Sequence, residues 1–98
     1  MEMEKSNNGE KLYVRLNGGI DAMIANDIEK ELLTQVDDVK ELVFDLEKLE
    51  YISSAGLRVL LSAQKIMNQQ GSMKLLHVND VINEIFEVTG FSDILTIE

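Results

Sequence analysis

The chain contains no cysteine, no proline and no tryptophan, and it has a single histidine among its 98 residues. Without cysteine it cannot form disulfides, use a thiol in catalysis or hold a metal through thiolates. Because no repetitive or low-complexity stretch marks a linker, we expect one domain over residues 1–98. No apolar run approaches the about 20 residues of a membrane-spanning helix, and residues 1–4 lack the apolar segment of a signal peptide. We therefore expect a cytoplasmic protein without direct membrane insertion.

Charge is plentiful but mostly of one sign, since the net charge is −9 at pH 7. This balance disfavours nucleic acid as a partner, because phosphate binding needs a basic surface. Residues 1–50 hold thirteen acidic and six basic side chains, whereas residues 51–79 hold no acid and the three bases Arg58, Lys65 and Lys74. Two interpretations stay open: a solvated helix face that lacks acids by chance, or a face on which an added negative charge has an effect.

Five short runs with alternating or continuous apolar residues predict β-strands. They cover residues 1–5, 11–17, 41–46, 73–78 and 93–97. The first two are expected to form an antiparallel hairpin, and the Asn-Gly-Gly sequence at 17–19 is expected to break the second strand.

Three segments between these strands repeat apolar residues at helical spacing. The first follows Asp21, which is suited to cap it. The second is predicted over Ser54–Gln70 and ends at Gly71, and the third begins at Asp80 and ends at Gly90. The residues expected on the buried face of the first helix are Ile24, Ile28, Leu32 and Val36, flanked by Ala25 and Leu33. Those expected on the buried face of the third helix are Val81, Ile82, Ile85, Phe86 and Val88.

This order of elements indicates an α/β fold. Strand–helix–strand units join parallel neighbours through right-handed crossovers, while the initial hairpin adds an antiparallel strand. We therefore expect a small mixed β-sheet with helices packed mainly on one face. Functional loops should lie at the carboxyl ends of the parallel strands, where Ser53 and Ser54 are found.

Ser53 and Ser54 stand where a predicted strand and a short polar connection over residues 47–51 lead into the second helix. The first N–H groups of a helix have no intrahelical partners, so a serine here is suited to capping and the same place suits an anion. Phosphorylation would add about −1.5 to −2 charges, and Arg58, one turn further on, is placed to contact the phosphate. The residues alone leave two roles open for Ser54, a plain helix cap or a phosphorylated switch.

Other chemistries have less support in the sequence. A serine nucleophile needs a neighbouring base, but the only histidine, His77, ends another strand, and the turn lacks the Gly-x-Ser-x-Gly pattern. The acids at 37–38 and at 47 and 50 lack the spacing of a calcium loop, and no glycine-rich phosphate motif is present. We expect no catalytic residue, no metal site and no cofactor, and a hydrolase is the least supported alternative.

Two stretches together resemble the core of STAS domains, most closely the bacterial anti-sigma factor antagonists. They are Phe-Asp-Leu at 44–46 followed by Tyr-Ile-Ser-Ser-Ala-Gly-Leu-Arg-Val-Leu-Leu at 51–61, and Val-Arg-Leu-Asn-Gly-Gly-Ile-Asp at 14–21. The resemblance continues through residues 88–91. It implies a protein that is not an enzyme and that binds an anti-sigma factor, typically a serine kinase, so that a sigma factor is released. It also implies that the kinase phosphorylates the antagonist and that a PPM-type phosphatase resets it.

The resemblance implies phosphorylation of Ser54, with Ser53 as second choice. It implies a partner-binding surface made of Asp21, Ser53, Ser54, Ala55, Gly56 and Arg58. The family often has Asp at the position of Ser53 and an acid at that of Gly19, so both departures remove negative charge. Many relatives have a further helix after the position of Glu98, so we expect the face beneath it to be uncovered. The alternative that stays open is an accessory subunit of an ABC-type lipid or solute transporter, in which Ser54 is only a helix cap.

Overall fold

In the computed structural model, which describes residues 1–98, one four-stranded sheet supports three α-helices. The strands are β1 (Glu2–Lys5), β2 (Lys11–Ile20), β3 (Glu41–Ile52) and β4 (Ser72–Leu76), adjacent in that order. The helices are α1 (Ala22–Gln35), α2 (Ser54–Gln70) and α3 (Asp80–Thr89). β1 pairs antiparallel with β2, whereas β2, β3 and β4 run parallel. The expected mixed α/β sheet is confirmed.

The helices pack on one face of this sheet, as expected. Alternate residues of the parallel strands on that face are almost fully buried, namely Leu12, Val14, Leu16, Leu42, Phe44, Leu46, Met73 and Leu75. They join residues of all three helices in one apolar core of 24 buried residues, which makes the domain a single packing unit. The side chains that alternate with them are half-buried at Tyr13, Arg15 and Lys74 but buried at Val43 and Asp45, so the opposite face is open except at the centre of β3. No helix is both long and apolar enough to cross a membrane.

β3 is much longer than its sequence pattern predicts. The expected polar connection over residues 47–51 belongs to the strand, and residues 17–19 likewise remain within β2. The pairing advances from Arg15 with Asp45 to Asn17 with Lys48, so β3 contributes one extra residue there and another before Tyr51. These two β-bulges break the alternation of buried and exposed residues. As a result the buried residues Leu46, Leu49 and Ile52, three apart, all reach the core.

The predicted buried faces of α1 and α3 are partly wrong. Ile24 and Leu33 of α1 are 41% and 51% exposed, and Val81 and Val88 of α3 are 61% and 81% exposed. The helix residues that do reach the core on these faces are Ala25, Ile28, Leu32, Ile82 and Phe86. Successive residues lie about 100° apart around a helix, so Val81 points away from the sheet although its neighbour Ile82 points into it.

The C-terminal segment does not form the strand predicted over residues 93–97. Gly90 adopts a left-handed φ of 82° and ends α3, and a short 3-10 helix, Phe91–Asp93, follows. Only one bridge joins the segment to the sheet, between Leu75 and Ile97, and burial of Leu95 anchors it. β4 also ends at Leu76, earlier than predicted, because the chain turns there.

Candidate functional site

The carboxyl ends of β2 and β3 lie side by side, and each leads directly into a helix. Ile20 pairs with Ile52, and the backbone N–H of Ser53 donates to the Ile20 carbonyl at 2.9 Å. Asp21 caps α1, since its Oδ1 accepts from the N–H of Ile24 at 2.9 Å. The first turns of α1 and α2 therefore begin next to each other, at the edge of the sheet where the sequence predicts a site.

The two serines at this edge have different roles. Ser53 is the N-cap of α2, with an extended backbone and an Oγ that accepts from the N–H of Gly56 at 3.2 Å. Ser54 is the first residue of the helix, and its exposed hydroxyl makes no hydrogen bond within the protein. The interpretation of Ser54 as the helix cap is therefore wrong, because Ser53 has that role. The Ser54 hydroxyl is left facing solvent at a helix N-terminus.

Gly56 sets how closely α2 approaches the strands. A Cβ atom at this position would lie 2.5 Å from Cγ1 of Ile52 and 3.0 Å from Cγ2 of Ile20. Only glycine fits there without displacing these buried side chains. Gly56 is itself buried, so it positions the surface that its neighbours form.

Three of the six predicted partner-binding residues are exposed: Asp21, Ser54 and Arg58. Ser53 and Ala55 are half-buried beside them. The first turn of α2 contains no acid, and Arg58 takes part in none of the ion pairs of the protein. Within α2 the charged residue nearest to Ser54 is therefore the unpaired Arg58, whereas Asp21 presents an exposed carboxylate at the adjacent start of α1.

A polar cluster on the open face of the sheet centres on Asp45 of β3. Oδ2 of Asp45 accepts from the Tyr13 hydroxyl and lies 3.9 Å from Nε of Arg15. Oδ1 lies 3.0 Å from Nδ1 of His77 and accepts from the N–H of Glu47 at 3.0 Å. These contacts depend on strand register, so sequence reasoning missed them, and an acid within an apolar strand was the only available signal.

The contacts of Asp45 lower its own pKa and raise the pKa values of its partners Tyr13 and His77. Burial acts to raise the pKa of Asp45, but hydrogen bonds from Tyr13, His77 and the N–H of Glu47 outweigh it and lower the pKa to about 2. The hydrogen bond to Asp45 and the charge of its carboxylate raise the pKa of His77 above 6.5. His77 has a left-handed φ of 59°, so its contact with Asp45 ties a strained turn after β4 to the middle of the sheet.

The cluster and the serines do not form a catalytic arrangement. The side chain of His77 contacts Asp45, and no hydrogen bond joins its ring to Ser53 or Ser54. A serine nucleophile requires such a bond to its base. The geometry therefore offers an exposed polar surface at the carboxyl ends of β2 and β3 and a hydrogen-bonded cluster around Asp45 on the open face.

Comparison with known proteins agrees with this arrangement. The sequence model of the STAS domain matches residues 1–98. BtrV of Bordetella bronchiseptica, provisionally named an anti-sigma factor antagonist, is 40% identical over 88 residues, which cover 88% of this chain and 76% of BtrV. The anti-sigma-B factor antagonist of Staphylococcus aureus is 31% identical over 90 residues, which cover 88% of this chain and 82% of that protein.

The fold also matches solved structures of SpoIIAA, an anti-sigma factor antagonist. The unphosphorylated form superposes with a TM-score of 0.79 at 19% identity, covering 99% of this chain and 86% of SpoIIAA. The phosphorylated form of the Bacillus protein gives 0.76 at 19% identity, covering 99% and 89%. At this identity the likeness concerns the fold alone. With a family match over the whole chain and relatives above 30% identity, this chain belongs to the STAS domain family.

Proposed function

We propose that this protein is an anti-sigma factor antagonist and that phosphorylation of Ser54 switches off its binding to an anti-sigma factor. The observation that carries this proposal is the exposed Ser54 hydroxyl, which is free of hydrogen bonds in the first turn of α2 while Ser53 supplies the cap. The names of the relatives support the antagonist role. They do not favour the alternative of a transporter subunit.

The surface around Ser54 suits a switch that leaves the fold intact. A phosphate adds about −1.5 to −2 charges at neutral pH. Free N–H groups and the helix dipole tolerate that charge at a helix N-terminus. The first turn of α2 holds no acid that would repel it. The added charge therefore changes the docking surface rather than the core.

The partners proposed with this function are an anti-sigma factor of the serine kinase type and a PPM-type phosphatase. The kinase would bind across the starts of α1 and α2, with Asp21, Ser54 and Arg58 as the exposed contacts. The phosphatase would reach the same exposed hydroxyl position. No cofactor is proposed, and the protein acts by binding.

Binding measurements with the cognate kinase-like anti-sigma factor test the proposal. Wild type and Ser54→Ala should bind with similar affinity, whereas Ser54→Asp should lose about tenfold or more, about 1.4 kcal/mol of binding free energy. Ser72→Asp is the matched control, because it adds the same charge at an exposed site at the opposite end of the sheet. Equal affinities for Ser54→Ala and Ser54→Asp would contradict the switch.

Incubation with the kinase and ATP, followed by mass spectrometry, tests the position of the phosphate. We expect the modification on Ser54, since the Ser53 hydroxyl is engaged by the N–H of Gly56. Phosphate on neither serine would reject the phosphorylation part of the proposal.

A further inference from the structure

A groove of about 230 Å³ runs between the first turns of α1 and α2, directly beside Ser54. Small apolar side chains form its floor: Ala22 and Ala25 from α1, and Ala55 and Val59 from α2. Asn26, Glu29 and Arg58 make up the rest of its lining. Sites for small molecules usually enclose about 300–1,000 Å³, so this groove has the size for a protein side chain rather than for a metabolite.

The two charged side chains of the groove, Arg58 on α2 and Glu29 on α1, do not pair with each other. Arg58 is exposed and forms no ion pair, and even Glu29 across the groove lies beyond ion-pair distance. Residues 51–79 contain no acid that could compensate it within its own helix. An occupant that complements this groove has an apolar side chain for the alanine floor and a carboxylate for Arg58.

We propose that the groove receives an apolar side chain of the anti-sigma partner, next to a partner carboxylate that pairs with Arg58, and that phosphate on Ser54 takes Arg58 from that carboxylate. This inference rests on the proposed function and adds the chemistry of the contact. Ser54 and Arg58 are four residues apart, so their side chains are neighbours on the helix surface. A phosphate forms shorter and stronger charge-assisted hydrogen bonds with a guanidinium than a neutral hydroxyl can. A phosphate on Ser54 thus pairs with Arg58 of the same helix, and the carboxylate of the partner loses its counter-ion.

A measurement without any partner tests the competition for Arg58. Phosphoserine is placed at position 54 by genetic encoding, and the second ionisation of the phosphate is followed by phosphorus NMR. Its pKa should be lower by about half a unit in the otherwise wild-type protein than in Arg58→Ala. Lys65→Ala is the matched control, since Lys65 is an exposed base on the same helix face, two turns beyond Arg58. Equal phosphate pKa values with and without Arg58 would overturn the inference and leave the proposed function untouched.

Binding to the kinase-like partner tests the groove. Ala22→Leu fills the groove and should weaken binding of the unmodified protein about tenfold. Thr34→Leu is the control and should not weaken binding, because it introduces the same side chain at an exposed position in the last turn of α1. Similar affinities for Ala22→Leu and wild type would overturn the docking of a side chain in the groove.

A double-mutant cycle joins the two parts of the inference. Arg58→Ala should weaken binding about fivefold, and Ser54→Asp should then cause a clearly smaller further loss than it does in wild type. The loss caused by Ser54→Asp should be unchanged in the Lys65→Ala background. An undiminished loss in the Arg58→Ala background would overturn the competition. A wild-type protein that does not bind the partner at all would instead refute the proposed function, and the phosphate titration would still decide the role of Arg58.

Discussion

Asp45 lies on the open face of the sheet, yet its side chain is only 7% exposed and four neighbouring groups surround its carboxylate. An ionised group in such a place is stabilising only while all its hydrogen bonds are made. Its partners come from β2, β3 and the turn after β4. The cluster therefore ties three separate parts of the chain together on the face that the helices leave open.

The low pKa of Asp45 predicts acid sensitivity. The folded-state pKa of about 2 lies below the ordinary value of 3.8, so the contribution is present above pH 3.8 and is lost as the pH falls toward 2. The shift corresponds to about 2 kcal/mol of unfolding free energy. Urea unfolding between pH 5 and pH 2 should show this loss in wild type and not in Asp45→Asn. Glu47→Gln, an exposed neighbour, should keep the wild-type profile, and parallel profiles for wild type and Asp45→Asn would contradict the prediction.

His77 has the opposite dependence on pH. Asp45 raises the pKa of His77, so the stabilising contribution is complete below pH 6.5 and is lost as the pH rises through the raised value. NMR titration of the imidazole should give a pKa above 6.5 in wild type and a lower value in Asp45→Asn. His77→Asn should remove the decline in stability over this range, because asparagine tolerates the left-handed backbone but does not titrate. An unchanged His77 pKa in Asp45→Asn would show that the ion pair is not its cause.

Gly56 predicts a steric effect at the site. Gly56→Ala should lower the unfolding free energy by about 1–3 kcal/mol, because its Cβ would overlap Ile52 and crowd Ile20. Gly19→Ala is the control, since a Cβ there meets nothing closer than 4.0 Å. Denaturant titration compares the two variants, and equal stability would mean that α2 can move away from the strands without cost.

At the scale of the element, the start of α2 separates two hydroxyl groups that the sequence presents as equivalent. Ser53 has an extended backbone and caps the helix, whereas Ser54 is already helical. Because the helix begins at Ser54, the hydroxyl of Ser53 accepts the hydrogen bond of the cap and the hydroxyl of Ser54 makes none. Family resemblance favoured Ser54 for modification, and the structure adds the physical reason why its hydroxyl is the accessible one.

The cap assignment predicts unequal effects on stability. Ser53→Ala should cost about 1 kcal/mol, because the N–H of Gly56 loses its acceptor. Ser53→Asp should restore stability, since aspartate is an equally good N-cap, and Ser54→Ala should change it by less than about 0.5 kcal/mol. Thermal or urea unfolding of the three variants is the measurement. A larger cost for Ser54→Ala than for Ser53→Ala would contradict the assignment.

β3 shows why sequence patterns end elements too early. Periodicity identified its apolar first half, but the bulges place Leu46, Leu49 and Ile52 at intervals of three. A period-2 template reads such a stretch as a polar loop. The bulges arise from pairing with β2, which is a long-range contact that no local window contains. The same bulged half of β3 carries the chain to Ser53.

At the scale of the whole molecule, one core of 24 buried residues lies beneath the edge of the sheet at which Ser53 and Ser54 are found. A single core in a domain of 98 residues favours two-state unfolding. The exposed side chain of Ser54 is not part of that core. A charge at Ser54 is therefore expected to leave the core, and with it the folding of the domain, undisturbed.

This separation predicts that Ser54→Asp is as stable as wild type or slightly more stable. An acid in the first turn interacts favourably with the helix dipole by about 0.3–1 kcal/mol. Calorimetry should show one transition with an unchanged or slightly higher Tm, whereas the proposed function predicts that the same variant loses binding to the anti-sigma factor. Circular dichroism and tyrosine fluorescence should report coincident transitions. A markedly lower Tm would mean that the mimic acts by unfolding the protein.

The sequence by itself determined the number and order of most elements, the mixed sheet and the place of the serines. These features follow from local periodicity, caps such as Asp21 and the glycine that ends α3, which are encoded in neighbouring residues. Only the tertiary structure decided the length of β3, the exposure of Val81 and Val88 and the cluster around Asp45. Each of these depends on strand register or on which helix stripe meets the sheet. Residues far apart in the chain set both, so no stretch of sequence contains them.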